Sequence, residues 1–280
     1  MQTATGALDP GARGNGAFDW GRFNARVYWG DNFSSLRGDD REMLERGVRW
    51  FDASTGGQLL HGVDGGAGAS VGLALAQLPF CRRLTLLDFS PDVVDYLRAQ
   101  VRRLGEEWEP FWEVVRPIVE HRIGDRDFAW ARTRLNKIAK VRHGSILTDL
   151  PAGHFDLGTM GFVAESISEQ HSEFDKANEM FLRALKPGAP FFAEYMENSQ
   201  GYVVDGIRWP ATSVGVDDVR AALTERATKL RVDRLDPDPK PLRPGYTGYV
   251  VATGIRDHGP RPAAACTVRN AASSRVPHRR

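Results

Sequence analysis

Short apolar runs alternate with amphipathic stretches along most of this chain, and that alternation limits the folds open to it. "QLLHGVD" (58–64), "RRLTLLD" (82–88), "FDLGTMGFVA" (155–164), "PFFAEYM" (190–196) and "GYTGYVVATG" (245–254) read as buried strands. Between them, "DDREMLERGVRWFD", "PDVVDYLRAQVRRL", "SEFDKANEMFLRAL" and "VDDVRAALTER" carry the helical period. Strands that alternate with helices predict an α/β fold, a mostly parallel sheet with helices on both faces. Ser90 and Pro91 have the residue types of an N-cap and first helical position, and "LKPGAP" supplies a turn after a helix. The segment 105–140, with Trp108, Trp112 and Trp130, is too long for an ordinary crossover and predicts a helical insertion.

A chain of 280 residues holds one large domain of this kind, and 41% hydrophobic residues suffice for its core. The first 16 residues and the Pro-, Ala- and Arg-rich stretch 257–280 lack periodicity and are expected to be disordered, leaving a domain over 17–256. Lys plus Arg (37) nearly balance Asp plus Glu (36), which argues against a nucleic-acid partner. No apolar run approaches the roughly 18 residues of a membrane span, and no signal peptide is evident. Cys81 and Cys266 are too few for a disulfide framework, and the seven histidines show no ligand spacing. The expectation is a cytoplasmic, metal-free protein, with a monomer favoured.

The chemistry begins at "LLHGVDGGAGASVG" (59–72), where a strand ends in Asp64 and opens into glycines before a helix. In an open α/β sheet ligands bind at the carboxyl ends of strands, near the switch point. Glycines there let backbone N–H groups approach a ligand, and the following helix N-terminus favours an anion. A dinucleotide fingerprint needs a third glycine where this chain has Val71, which counts against a nicotinamide-dependent oxidoreductase. Asp64, Gly66 and Gly68 instead give Asp-x-Gly-x-Gly, which resembles the S-adenosylmethionine (SAM) loop of class I methyltransferases. Asp88 ends the next strand, 24 positions on, where a carboxylate can take both ribose hydroxyls. A side chain at Gly66 is expected to intrude on the ligand's volume.

Further blocks extend the likeness. "YWGDNF" (28–33), "GVDGGAGAS", "LTLLDFSPDVV", "EEWEPFWEVV", "GFVAESIS", "FLRALKPGAPFFAEYMENSQGYVVDG" and "GYTGYVVATG" occur in order between about residues 18 and 255. On these the chain resembles the nicotinamide / phenylethanolamine / indolethylamine N-methyltransferase family. The resemblance implies a Rossmann-like class I methyltransferase fold, with a mostly parallel seven-stranded sheet and an N-terminal helical lid. It implies SAM as cofactor and a small-molecule acceptor. By position, Tyr28 and Phe33 would close over the cofactor, and Asp64, Gly66, Ala67 and Gly68 would hold its methionine end. Asp88 would take the ribose, with Val93 beside it. The Ser145–Ile146 backbone would take the adenine, and Gly161 would lie beneath the methionine moiety. The chain departs from the family at three of these places: Phe33 replaces a tyrosine, Val93 an asparagine and Ser145 an acid.

For the acceptor side, the resemblance implies that Glu165 and Glu197 hold and deprotonate an amine, with Tyr28 near the transfer. The family's third acid has no match, and Arg243 and Pro244 occupy that region. Trp20, Tyr202 and Trp209 are candidates for an aromatic wall; His61 and His154 read as structural. The resulting expectation is N-methylation of an amine or azaheterocycle. O- or C-methylation of a secondary metabolite, and SAM binding without catalysis, remain the alternatives.

Overall fold

A computed structural model describes residues 11–58, 60–239, 242 and 245–257 of the chain. Its strands are β1 (Leu60–Gly65), β2 (Cys81–Asp88), β3 (Ala139–His143), β4 (Leu157–Gly161), β5 (Pro190–Glu197), β6 (Tyr202–Val204), β7 (Ile207–Trp209), β8 (Ala227–Leu235) and β9 (Gly248–Arg256). The helices are α1 (Ala25–Asn32), α2 (Gly38–Ser54), α3 (Gly72–Gln77), α4 (Pro91–Arg102), α5 (Glu109–Ile123), α6 (Phe128–Ile138), α7 (His171–Ala184) and α8 (Val216–Thr224).

Seven strands form one sheet in the order β3-β2-β1-β4-β5-β9-β8, and β6 and β7 make a separate hairpin. The pairs from β3 through β5 are parallel, whereas β9 runs antiparallel to both β5 and β8. The chain winds outward from β1 to β3 and then returns to place β4 on the other side of β1. The crevice between β1 and β4 is therefore the switch point where ligands of such sheets bind.

Strand side chains alternate strictly between two cores. Val63, Leu87, Phe191, Ala193, Tyr195, Val250 and Ala252 pack under α7 and α8. Leu84, Leu86, Phe192, Met196 and Val251 pack on the opposite face with α2, α3 and α5. All eight residues of β5 are buried, as expected of a strand covered on both faces. That buries Glu194 and Glu197 along with its apolar residues.

The expected helical insertion is α5 with α6. Trp108 and Trp112 are fully buried there, and the Trp112 indole N–H donates to the Arg126 carbonyl at 2.8 Å. Ser90 caps α4 as expected, accepting from the Val93 N–H, with Pro91 at the first helical position. The expectation of disorder through residue 16 is corrected for residues 11–16. Arg13 pairs with Glu169 at 2.7 Å, and the Asn15 side chain donates to the Ile167 carbonyl at 3.0 Å. At the other end, Asp257 donates its N–H to the Arg226 carbonyl at 2.9 Å and so belongs to the fold. Residues 258–280, and the Arg243 and Pro244 discussed above, lie outside the described residues. No helix among the described residues is long and apolar enough to cross a membrane.

Candidate active site

The loop from β1 into α3 is a tight bend held from β2. The N–H groups of Gly66 and Ala67 both reach the Leu87 carbonyl, at 2.8 and 2.9 Å. Gly66 and Gly68 have φ of +75° and +62°, in the left-handed region that glycine enters without a steric penalty. A Cβ on Gly68 would meet nothing within 4 Å, so the loop leaves open space beside this backbone. A Cβ on Gly66 would lie 2.6 Å from both Val163 methyls. Val163 and φ therefore already demand glycine at 66.

Asp88 links the strand ends. Its Oδ2 accepts from the Gly68 N–H and its Oδ1 from the Ser90 N–H, each at 2.9 Å. Asp64 lies one strand away and accepts from the Thr159 hydroxyl on β4 at 2.7 Å. The Gln77 amide donates to that hydroxyl in turn, so a buried Gln77–Thr159–Asp64 chain fixes the carboxylate. Burial pushes Asp64 up to about 7, against the opposing pull of the Thr159 bond. Burial likewise lifts Asp88 to about 6, with the Ser90 and Gly68 N–H groups holding it lower than burial alone would.

Tyr28, Phe33, Asp64, Gly66, Ala67, Gly68, Asp88, Val93, Ser145, Ile146 and Gly161, which the sequence singled out at widely separated positions, all line one cleft at this switch point. Its outer wall is aromatic. Tyr28 packs on Phe33 and Tyr202 with ring centroids 6.0 Å apart in each pair, and Trp20 stacks on Trp209 at 4.8 Å. Trp20 and Tyr202 face the cleft, and Trp209 is buried behind Trp20. The Ser145 N–H donates to Asp149 at 2.7 Å, which removes it from the backbone groups expected to meet an adenine. His61 and His154 do form a structural cluster with Phe155, away from the cleft.

Glu165 and Glu197 are placed elsewhere than expected. Glu165 is fully buried and accepts from the Met196 N–H at 3.0 Å, bracing β5 from within. Glu197 accepts from the Arg234 guanidinium at 2.8 Å and from the Thr247 hydroxyl at 2.6 Å. Both side chains point into the scaffold, and neither lines the cleft. The acid that does line it on this side is Glu194, two residues before the end of the apolar run on β5. The signal for it is the single carboxylate inside the run "PFFAEYM", whose other residues carry no charge. Three carboxylates thus face the cleft, those of Asp64, Asp88 and Glu194, and no Lys, Arg or His does among the described residues. No group of His, Cys, Asp and Glu among the described residues is arranged to hold a metal.

Neither a protein-family model nor a curated protein matches the sequence. The fold, however, is found among solved structures. N-methyltransferase NodS from Bradyrhizobium japonicum WM9, in complex with S-adenosyl-L-homocysteine (SAH), superposes with a TM-score of 0.50 at 15% identity. That match covers 79% of this chain and 88% of NodS. A SAM-dependent methyltransferase from Methanosarcina mazei gives 0.51 at 13% identity, over 74% of this chain and 96% of its own. The chain therefore has the Rossmann-like architecture of these methyltransferases.

Proposed function

We propose that the cleft binds SAM and that the chain is a methyltransferase acting on a small molecule, with an amine or azaheterocycle as acceptor. The observation that carries this reading is the junction of the glycine loop with Asp88 at the β1/β4 switch point, in a cleft whose charged groups, among the described residues, are all acids. A carboxylate accepts at about four lone-pair positions. Asp88 uses one on each oxygen for Gly68 and Ser90, leaving capacity for two ribose hydroxyls. The open space beside Gly68 admits a ligand against bare backbone. The lining fits SAM, whose sulfonium and ammonium are cations, because Asp64 and Glu194 supply acids to the cleft and no base among the described residues competes with them. The ligand's own carboxylate would meet neutral donors, among them the hydroxyls of Ser70 and Tyr28.

When bound, SAM supplies an electrophilic methyl carbon for in-line displacement. The chain's part is to align the reactants and exclude water. Tyr28, Phe33 and Trp20 close the outer side, and the Asn15 segment closes it further through its bond to Ile167. A nicotinamide cofactor is disfavoured by Val71 in the loop and by the antiparallel β9, which differs from the all-parallel dinucleotide order.

Thermal denaturation with SAM, SAH and NADH tests the reading, since a ligand of the native state raises stability by RT ln(1 + [L]/Kd), about 2.7 kcal/mol at 100 times Kd. The expected result is stabilisation by SAM and SAH, followed by methyl transfer to a member of an amine and azaheterocycle panel. Stabilisation by NADH alone overturns it, and turnover of a phenol panel alone moves the acceptor to oxygen.

A further inference from the structure

Glu194 differs from the other carboxylates around this sheet. Asp64 has the Thr159 hydroxyl, Asp88 has two N–H groups, Glu165 has the Met196 N–H and Glu197 has Arg234 and Thr247. Glu194 is 6% exposed and its side chain makes no hydrogen bond or ion pair among the described residues. It lies on the α2/α3 face of β5, opposite Gly161 of β4, and opens into the cleft. A Cβ at 161 would come within 2.9 Å of its Oε2, so the absent side chain of Gly161 leaves this carboxylate room.

The described residues around Glu194 give it no counter-ion. The groups that act on it electrostatically are Asp40 of α2, Asp64 of β1 and Glu165, all acids, and with burial they raise its proton affinity well above the ordinary carboxylate range. Leu73 and Phe162 complete the walls beside it. A buried carboxylate without a partner either keeps its proton or takes a cation. No base among the described residues lines the cleft, so a ligand is the source of such a cation.

We propose that Glu194 is the seat of a primary ammonium group of a ligand bound in the cleft, with Asp64, two strands away across β4, as its second acid. The proposal rests on the SAM reading, which offers two sources of that chemistry: the amino end of the cofactor, or an amine acceptor. An ammonium carries three donors, enough to reach both carboxylates, and Phe162 presents an aromatic ring to the same space.

Calorimetry on the full chain at pH 7.5 separates the sources. One arm titrates SAH and its deaminated analogue, in which hydrogen replaces the amino group. The other titrates 2-phenylethylamine, tryptamine and hexylamine, with 2-phenylethanol as the neutral control, into SAH-saturated protein. Glu194→Gln is expected to weaken the ligand whose ammonium is seated there by about 10- to 100-fold, as for a hydrogen bond between charged groups. The amine-free counterpart should change less than threefold, which a merely structural role would not produce. Loss confined to SAH assigns the cofactor's ammonium, and loss confined to an amine assigns the acceptor's. If the variant binds SAH as wild type does and no amine probe loses affinity, or if SAH and its deaminated analogue weaken equally, the proposal is overturned. Glu194→Met, of similar volume, replaces the first variant should that one fail to fold. Wild-type protein that binds neither SAM nor SAH refutes the cofactor reading itself, an outcome distinct from equal binding by wild type and variant.

Discussion

Substituting Gly66 by alanine places a methyl group where the structure has no room for one. The new Cβ would lie 2.6 Å from both γ-carbons of Val163, far inside the 3.5–4.0 Å of a favourable carbon contact. Overpacking of this kind costs about 1–3 kcal/mol. The φ of +75° adds roughly 1–2 kcal/mol for any residue with a Cβ. Gly66→Ala should therefore lose about 2–5 kcal/mol of unfolding free energy in urea titrations. Val163→Ala alone removes two methyls from a buried position and should lose about 1–3 kcal/mol. Because the truncation also removes the clash, the double variant should be more stable than the sum of the single losses by about 1–3 kcal/mol. The residue of the Gly66 effect, the part due to φ, should survive in the double variant. Losses that add to within about 0.5 kcal/mol would show that Val163 does not set the glycine requirement.

Other variants probe the rest of the site. Asp64 has a folded pKa of about 7, above its unfolded value, so its contribution to stability is complete below about pH 4 and is lost as pH rises through 7. The ligand-free protein should thus weaken across that window, and Asp64→Asn should remove roughly 4 kcal/mol of the slope in urea titrations from pH 4 to 8; equal slopes contradict the buried-acid assignment. Glu165→Ala should cost about 1–3 kcal/mol of stability through the stranded Met196 N–H and leave SAH affinity unchanged. Glu197→Gln should cost less than about 1 kcal/mol, since Arg234 is half-exposed, and should not alter SAH binding either. A tenfold loss of affinity in either would return these glutamates to the site. Deleting residues 1–17 removes Asn15 and the acceptor of the Trp20 indole, and should weaken SAH by about 2- to 10-fold in fluorescence titrations. Unchanged affinity would mean that this segment only covers the surface.

What the sequence revealed and what it hid follow from where charge sits in the fold. The five strands with apolar runs were legible because both their faces are covered. β3 (AKVRH) and β8 (ATKLRVDRL) were missed because they are the two edges of the sheet. Their exposed, charged residues interrupt any hydrophobic pattern, as edge strands that resist pairing with other chains commonly do. In β8 a register shift between Thr228 and Arg231, with Lys229 at φ +50°, breaks the alternation further. The glycines and strand-terminal acids that line the cleft could be picked out because such residues have fixed spacing at strand ends. The glutamates were harder to place, because register decides which face a strand acid takes and a turn after β4 decides where Glu165 points. Glu165 turns inward to β5, Glu197 is claimed by Arg234 of β8, and Glu194 alone of the three reaches the cleft. The docking of residues 11–16 was hidden for a different reason: their partners, Glu169, Ile167 and Glu173, lie more than 150 positions away.

The proposal that this cleft holds SAM is tested most directly by calorimetric titration of SAH into wild-type protein and Asp88→Ala, with Glu197→Gln as a control outside the cleft. Wild type and the control should each bind one equivalent with the same Kd. Asp88→Ala, checked for retained fold because it also frees the Gly68 and Ser90 N–H groups, should bind about 10- to 150-fold more weakly, the range for hydrogen bonds to a charged group. A folded wild-type protein that gives no saturable heat with SAH or SAM, or a folded Asp88→Ala protein that binds as tightly as wild type, would contradict it.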